Sequence, residues 1–487
     1  MPVEAVKTAA QRLSDFATEL NWSDVPAPVI EAAKVHLLDT IGCGLAAYAL
    51  GVGDEAAALV IEQGGRGESS VIGHRELLPA PSAALANGML CHRLDYDDTH
   101  TGAGTHVSVT VAPAAMAAAE AAGASGRELV MALVVGSEVA VRVGMAAPFE
   151  FHHRGFHPTS VCGIFGATAA SARLLRLRSD EVSNAFGIAG SMASGLFEYL
   201  SDGSATKPLH PGWAAQGAIQ AARLAHRGVT GPTTIFEGRF GLYAAFVGES
   251  KSGLDGQLED LGRRWETPNI ALKPYAACHY SHASLDAVRS LMTREKIGAA
   301  DVAEAVAVVP QDAVPFVLEP VEAKLRPRSD YEAKFSLQFS IAAMLTDGRV
   351  GVETFSATRI RDPQVLELAR RVRYEIKEFS TYPESFPGGI RITTRDGRRL
   401  EAEVTRQRGG KSNPMDEADV RQKFVDNASL AIGAPAVRAL EESITYARSC
   451  PSRSATARVD AANDLPIRAQ MILTTSRTAM PRSGERW

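Results

Sequence analysis

Between residues 26 and 228 one helix-length stretch follows another, and the stretches are built on alanine and glycine. "PAPVIEAAKVHLLDTIGCGLAAYAL" (26–50) opens on prolines and continues with apolar residues at helical spacing. The same pattern covers 81–96, 111–123, 126–144, 159–177, 179–200 and 211–228. Several of these stretches begin with Ser, Thr, Asp or Pro and end at Gly, as helix boundaries do. Small side chains let backbones approach closely, so a tight helical bundle is predicted. The N-terminal "MPVEAVKTAAQRLSDF" reads as an amphipathic, acid-containing helix without the apolar centre of a signal peptide. No apolar run reaches the roughly eighteen residues of a membrane span.

The pattern changes after about residue 268. "DVAEAVAVVP" (301–310) alternates like a strand, and "YEAKFSLQFSIAAMLTDG" (331–348) is a helix stopped at Asp-Gly. "GIRITTRDGRRLEAEVTRQRG" (389–409) is two alternating runs joined by Asp-Gly, a hairpin signal. Helices resume at 416–428 and 435–447 and are expected to return to the helical part. The expected organisation is a discontinuous all-helical domain (1–268 plus 410–448) and a smaller α+β domain (269–409). The last stretch, 449–487, carries six arginines, no lysine and little periodicity, and is expected to be a disordered tail.

Charge narrows the partners. The net charge is -5 with no polybasic run, so neither nucleic acid nor a membrane surface is expected as a partner. An anionic substrate needs a locally positive pocket. The five cysteines are odd in number, widely spaced and without a CxxC, which points to a reducing, cytoplasmic setting.

The chemistry concentrates in "HRLDYDDTHTGAGTH" (92–106), with three aspartates and three histidines in fifteen residues. Counting from Asp95, an EF-hand would need Gly and Glu where His100 and His106 stand. HExxH is absent, and Asp97 and Asp98 are adjacent, where side chains diverge. A solvated loop is the plain alternative. Against it, nine of twelve histidines fall in four short segments, beside glycine or proline turns: 92–106, "FHHRGFHPTS" (151–160), "GSATKPLHPGW" (203–213) and "KPYAACHYSH" (273–282). Two segments add Lys207 and Lys273, suited to a carboxylate or phosphate. "GSATKP" lacks P-loop spacing, and neither a GxGxxG after a strand nor a Gly-x-Ser-x-Gly elbow occurs. Cys278 beside His279 reads as a buried structural cysteine rather than a nucleophile.

Together "HRLDYDDTH", "RGFHPTSVCGIFGATAASARLL", "GSATKPLHPGWAAQGAIQAARLAHRGVTGP", "FEGRFG" and "KPYAACHYSHASLDA" resemble the MmgE/PrpD family. That family includes 2-methylcitrate dehydratase, cis-aconitate decarboxylase and iminodisuccinate epimerase. The resemblance implies a mainly α fold, with a large all-helical domain and a smaller α+β lid domain. It also implies a homodimer and an active site between the domains that uses neither a metal nor an organic cofactor. Carried over by motif, it implies Asp95, Thr99, His106, His157 and His279 as catalytic residues and Lys207 and Lys273 as substrate-binding residues. Three features depart from the decarboxylase pattern. The step from Thr99 to His106 is one residue longer, so Thr105 competes for the histidine's slot, and Cys278 stands where the later histidine falls. The decarboxylase tyrosine also has no clear match near "EPVEAKLRP" (319–327).

The family's substrates are small di- and tricarboxylates with an acidic proton beside a carboxylate. Such a reaction calls for cations on the anionic groups and a near-neutral acid–base group at the carbon, for which lysine and histidine are suited. The expectation is a 2-methylcitrate dehydratase-like hydro-lyase. The alternatives are an epimerase of a substituted succinate, a cis-aconitate decarboxylase-like carboxy-lyase, and a non-catalytic helical scaffold.

Overall fold

The computed structural model describes residues 6–248 and 253–445. The fold is mainly α with a smaller α+β part, and its apolar residues form two cores. The first core is gathered by the helices Ala27–Ala49, Ala80–His92, Ser108–Ala122, Gly126–Met145, Gly163–Leu174, Ser179–Gly190 and Leu209–His226. Close approach depends on small residues. A Cβ on Gly88 would stand 2.6 Å from the Cα of Gly212 on the facing helix.

The second core is built from residues 275–392, joined by Phe149 and Tyr199. It carries a four-stranded sheet. The strands are β1 (Val302–Val309), β2 (Val372–Ile376), β3 (Gly388–Thr394) and β4 (Arg399–Val404), in the order β2-β1-β3-β4. β1 and β2 run parallel, with Ala307 opposite Tyr374; the other pairs are antiparallel, with Ala307 opposite Ile390 and Ile390 opposite Ala402. The helix His282–Glu295 packs on β3 and β4 and against Leu337–Asp347.

Glu417–Ser429 returns to the first core, where Phe424 and Ala428 are buried against Ala27–Ala49. Its Lys423 ammonium sits 2.7 Å from Asp39 and donates to the Tyr96 carbonyl at 2.8 Å. The chain after the second core therefore braces the polar loop from behind.

Several elements differ from the sequence reading. The stretch expected as one helix over 179–200 ends at Gly190, because the chain turns at Gly195 (φ +119) to bridge Leu196 to Phe156. The stretch 159–177 splits at Cys162 into Pro158–Val161 and Gly163–Leu174. The helix expected over 331–348 is two, Asp330–Lys334 and Leu337–Asp347, the second capped by Ser336, whose hydroxyl accepts from the Phe339 amide at 3.0 Å. β2 was not expected; "VRYEI" is too short and too exposed to show a clean alternation. The hairpin is formed, with Gly397 at φ +91 in its turn. No helix among the described residues is long and apolar enough to cross a membrane. The tail 449–487 lies outside the described residues.

Candidate active site

The helix Ala80–His92 ends at the polar loop, and Asp95 adopts φ 52, a left-handed conformation that aspartate tolerates. Thr99 then pairs with Ala271 through two backbone bonds of 2.8 Å, tying the loop to the segment that leads into Lys273. Asp97 and Asp98 diverge as adjacent residues must. Asp97 faces inward and meets the Nδ1 atoms of His92 at 2.9 Å and His106 at 3.1 Å. Asp98 faces the helices, 3.0 Å from His36, and accepts the Ser108 amide at 3.1 Å at the start of Ser108–Ala122. All three aspartates are buried, which removes the solvated-loop alternative.

All seven residues singled out from the sequence line one cavity where the two cores meet: Asp95, Thr99, His106 and His157, then Lys207, Lys273 and His279. Lys207 stands just ahead of Leu209–His226 and donates to Asp95 Oδ1 at 2.7 Å. Lys273 lies 3.2 Å from the same oxygen and donates to the Asp95 carbonyl at 2.8 Å. Burial opposes ionisation of Asp95, but Lys207 and Lys273 outweigh it and hold the carboxyl well below its usual range. Asp97 is likewise held low against its burial, by His92 and His106.

His106 is oriented by its neighbours. Its Nδ1 faces Asp97 Oδ2 at 3.1 Å and the Asp98 carbonyl at 2.9 Å, both acceptors, so Nδ1 carries the proton. Thr99 Oγ1 adds a contact at 3.1 Å. Nε2 is therefore the lone-pair nitrogen, and it stands 3.5 Å from the Lys207 ammonium. Thr105, the rival for this position, turns away and donates to the Ala103 carbonyl at 3.0 Å. His157 meets His210 Nδ1-to-Nδ1 at 3.0 Å. Burial, reinforced by His210 and Lys207, keeps His157 well below the usual imidazole range, so it is neutral at pH 7. His279 is also neutral, lowered by burial and then by His282 and Lys273, and neither of its ring nitrogens has a hydrogen-bond partner among the described residues. Cys278 shares the wall with it, and burial pushes its thiol up, which opposes a thiolate there. His100, by contrast, is drawn away from the cavity to Glu266, 3.3 Å distant, and His153 is exposed.

The sequence reading missed the supports and the apolar walls. His92 and Asp97 form the layer that aims His106, and their only sequence signal was crowding. Phe149, Phe197, Phe316, Phe335 and Phe386 come from separate segments and share no motif. Tyr280 also lines the cavity; its hydroxyl is 3.3 Å from that of Tyr382, which donates to Asp312 at 2.7 Å. His92, His106 and His157 can each present a nitrogen within 4.8 Å of the others, a spacing that could hold a metal ion. A second set, His92, Asp95, Asp97 and His106, has the same spacing, and its carboxylates are engaged by Lys207, Lys273 and the two imidazoles.

Models of the MmgE/PrpD N-terminal and C-terminal domains match residues 11–255 and 275–445. Cis-aconitate decarboxylase of Homo sapiens is 30% identical over 429 residues, covering 85% of this chain and 86% of the relative. The enzyme of the same name from Mus musculus is 30% identical over 445 residues, with 87% of each chain covered. The cis-aconitate decarboxylase-like protein oryM of Aspergillus oryzae is 28% identical over 451 residues, covering 89% of this chain and 93% of the relative.

Proposed function

The chain belongs to the MmgE/PrpD family, and on that premise we propose that it is a cofactor-independent carboxy-lyase acting on an unsaturated tricarboxylate of the cis-aconitate type. The observation that carries the reading is the buried Lys207–Asp95–Lys273 cluster set beside an imidazole whose Nε2 faces the cavity. The names of the relatives favour this reaction over the hydro-lyase expected first.

The chemistry needs three things. Carboxylates that stay on the substrate need cations, and Lys207 and Lys273 supply them. The bond to the departing carboxylate breaks, its electron pair becomes a new carbon–carbon double bond, and the pair of the old double bond takes a proton at the distal carbon. One carbon dioxide leaves and one proton is consumed. His106 is the proton donor in this scheme: its Nε2, the lone-pair nitrogen of the unliganded site, takes up a proton when a substrate carboxylate draws the neighbouring Lys207 ammonium away, and delivers it to the distal carbon. Thr99 fixes the ring, Asp95 aligns the two lysines, and His157 with His279 completes a wall of neutral imidazoles against the apolar part of the substrate.

A hydro-lyase of the 2-methylcitrate type is the second reading. The Tyr280–Tyr382–Asp312 chain of hydroxyl and carboxyl groups favours it, since loss of water needs an additional acid for the departing hydroxyl. The homodimer is also part of the proposal: Leu209, Trp213 and Leu224 leave an exposed apolar strip on one helix. The setting we assign is the cytoplasm.

A panel of cis-aconitate, 2-methylcitrate and substituted succinates, incubated with EDTA present, tests the reading. Trapped carbon dioxide from cis-aconitate is expected, unaffected by EDTA. Water loss from 2-methylcitrate without carbon dioxide would establish the hydro-lyase instead. Proton exchange alone would establish an epimerase.

A further inference from the structure

A second cavity, of about 210 Å³, lies between the two cores and shares no lining residue with the catalytic cavity. Its helical-core wall includes Leu50 and Leu94, and its other wall includes Phe355, Ser356, Lys334 and Arg361. Around it the charges do not cancel. Arg93 takes both oxygens of Asp330, at 2.8 and 3.2 Å, and Arg328 is held by Glu332 at 3.0 Å. Two cations are then left over. The Lys334 side chain is 2% exposed, and its ammonium makes no hydrogen bond among the described residues. Its nearest carboxylate oxygen, on Asp330, is 3.8 Å away and already bonded to Arg93. Its other neighbour is the Phe355 ring, 4.6 Å from the nitrogen. Arg361 is exposed at the rim and has no ion pair among the described residues.

A buried ammonium without a hydrogen bond is costly, and burial lowers the pKa of Lys334 to about 8 despite Asp330. An anion in the cavity would relieve that cost. The remaining walls are mostly hydrocarbon, so they favour an anion that carries an apolar body over a fully hydrated one such as phosphate. We propose that this cavity is a second binding site, for a small monocarboxylate with an aliphatic body, its carboxylate between Lys334 and Arg361 and its chain against Leu50, Leu94 and Phe355.

The two cavities share a backbone segment. The Lys334 carbonyl accepts the Cys278 amide at 3.0 Å, and the next residue, Phe335, lines the catalytic cavity with its ring 5.0 Å from the Lys207 ammonium. An occupant held by Lys334 therefore bears on the residues that hold the substrate, and the second site regulates the first.

Calorimetric titration of the full chain with hexanoate, acetate, 1-hexanol and inorganic phosphate tests the proposal. Hexanoate is expected to bind at least tenfold more tightly than the other three. Lys334→Met, which keeps the side-chain length, and Arg361→Ala, at the exposed rim, are each expected to weaken hexanoate at least tenfold. Lys207→Met should leave hexanoate binding intact, which separates this cavity from the catalytic one. Hexanoate should also shift the KM of the wild-type enzyme for its substrate at least threefold, and not that of Arg361→Ala. Hexanoate binding that survives both Lys334→Met and Arg361→Ala, that is lost in Lys207→Met, or that is matched by phosphate would overturn the site. Tight binding with an unchanged KM would overturn its coupling to catalysis.

Discussion

In the proposed reaction Lys207 and His106, which stand 3.5 Å apart, do different work. Lys207 neutralises charge that is present both before and after the transition state, so its loss should appear in binding. Removing one charge-assisted contact costs on the order of 1.5–3 kcal/mol, roughly ten- to a hundredfold in affinity. Lys207→Ala should therefore mainly raise KM. Lys273 remains 3.2 Å from Asp95, so the aspartate is not left an unpaired buried charge. His106 moves a proton only as the bond changes, a role worth about 10²–10⁴ in rate. His106→Ala should mainly lower kcat. Steady-state kinetics separate the two effects; a His106→Ala enzyme with near-normal kcat, beside an inactive His157→Ala, would make His157 the proton carrier. In the unliganded site both lysines already hold Asp95, while His92 and His106 hold Asp97. A substrate carboxylate must therefore draw a lysine toward itself or arrive with a proton.

The elements that carry the site depend on two close approaches. Gly212 packs on Ala80–His92 with so little space that a Cβ on it would stand 2.4 Å from the Leu85 carbonyl oxygen. Gly212→Ala should cost about 1–3 kcal/mol by overpacking, read as a lower midpoint of chemical denaturation. An unchanged midpoint would mean the helices can part without penalty. Gly104, at φ +60, lies where a Cβ would meet the His152 ring at 2.4 Å, so the loop closes against that imidazole. The helical elements were legible because alanine, glycine and capping residues repeat at 3.6-residue spacing, and the hairpin because Asp-Gly sits between alternating runs. The ends of elements were less legible. The breaks at Gly190, Cys162 and Phe335 come from contacts between distant segments, which local pattern does not encode. The same holds within the site: the seven residues quoted in motifs could be named from the chain, whereas the phenylalanine walls and the second carboxylate contact of Asp97 exist only after folding. The longer step from Thr99 to His106 proved compatible with the site, because the extra residue is taken up as Thr105 turns toward Ala103.

For the whole molecule, the crowding of buried histidines sets the response to acid. Burial lowers His92 and His210 to about 4, and His152 and His282 to about 3. In the unfolded chain an imidazole titrates near about 6.5. Below that pH the unfolded state takes up protons that the folded state refuses, so stability present above pH 6.5 is lost as pH falls toward 4 and then 3. Each group contributes up to about 1.4 kcal/mol per pH unit across its window. His74, raised by its bond to Asp54, acts in the opposite sense but is a single group. Urea denaturation should show several kcal/mol lost between pH 7 and 5. A flat midpoint over that range would mean these rings are hydrated in solution.

The central claim is that lysines hold a polycarboxylate while an imidazole protonates the distal carbon of the double bond that shifts as carbon dioxide leaves. Mass spectrometry of the product formed from cis-aconitate in heavy water tests it in one step. The account predicts a product short of one carbon dioxide, carrying one deuterium on carbon. A product that retains every carboxylate, whether it has gained or lost water or has only exchanged hydrogen for deuterium, would contradict it.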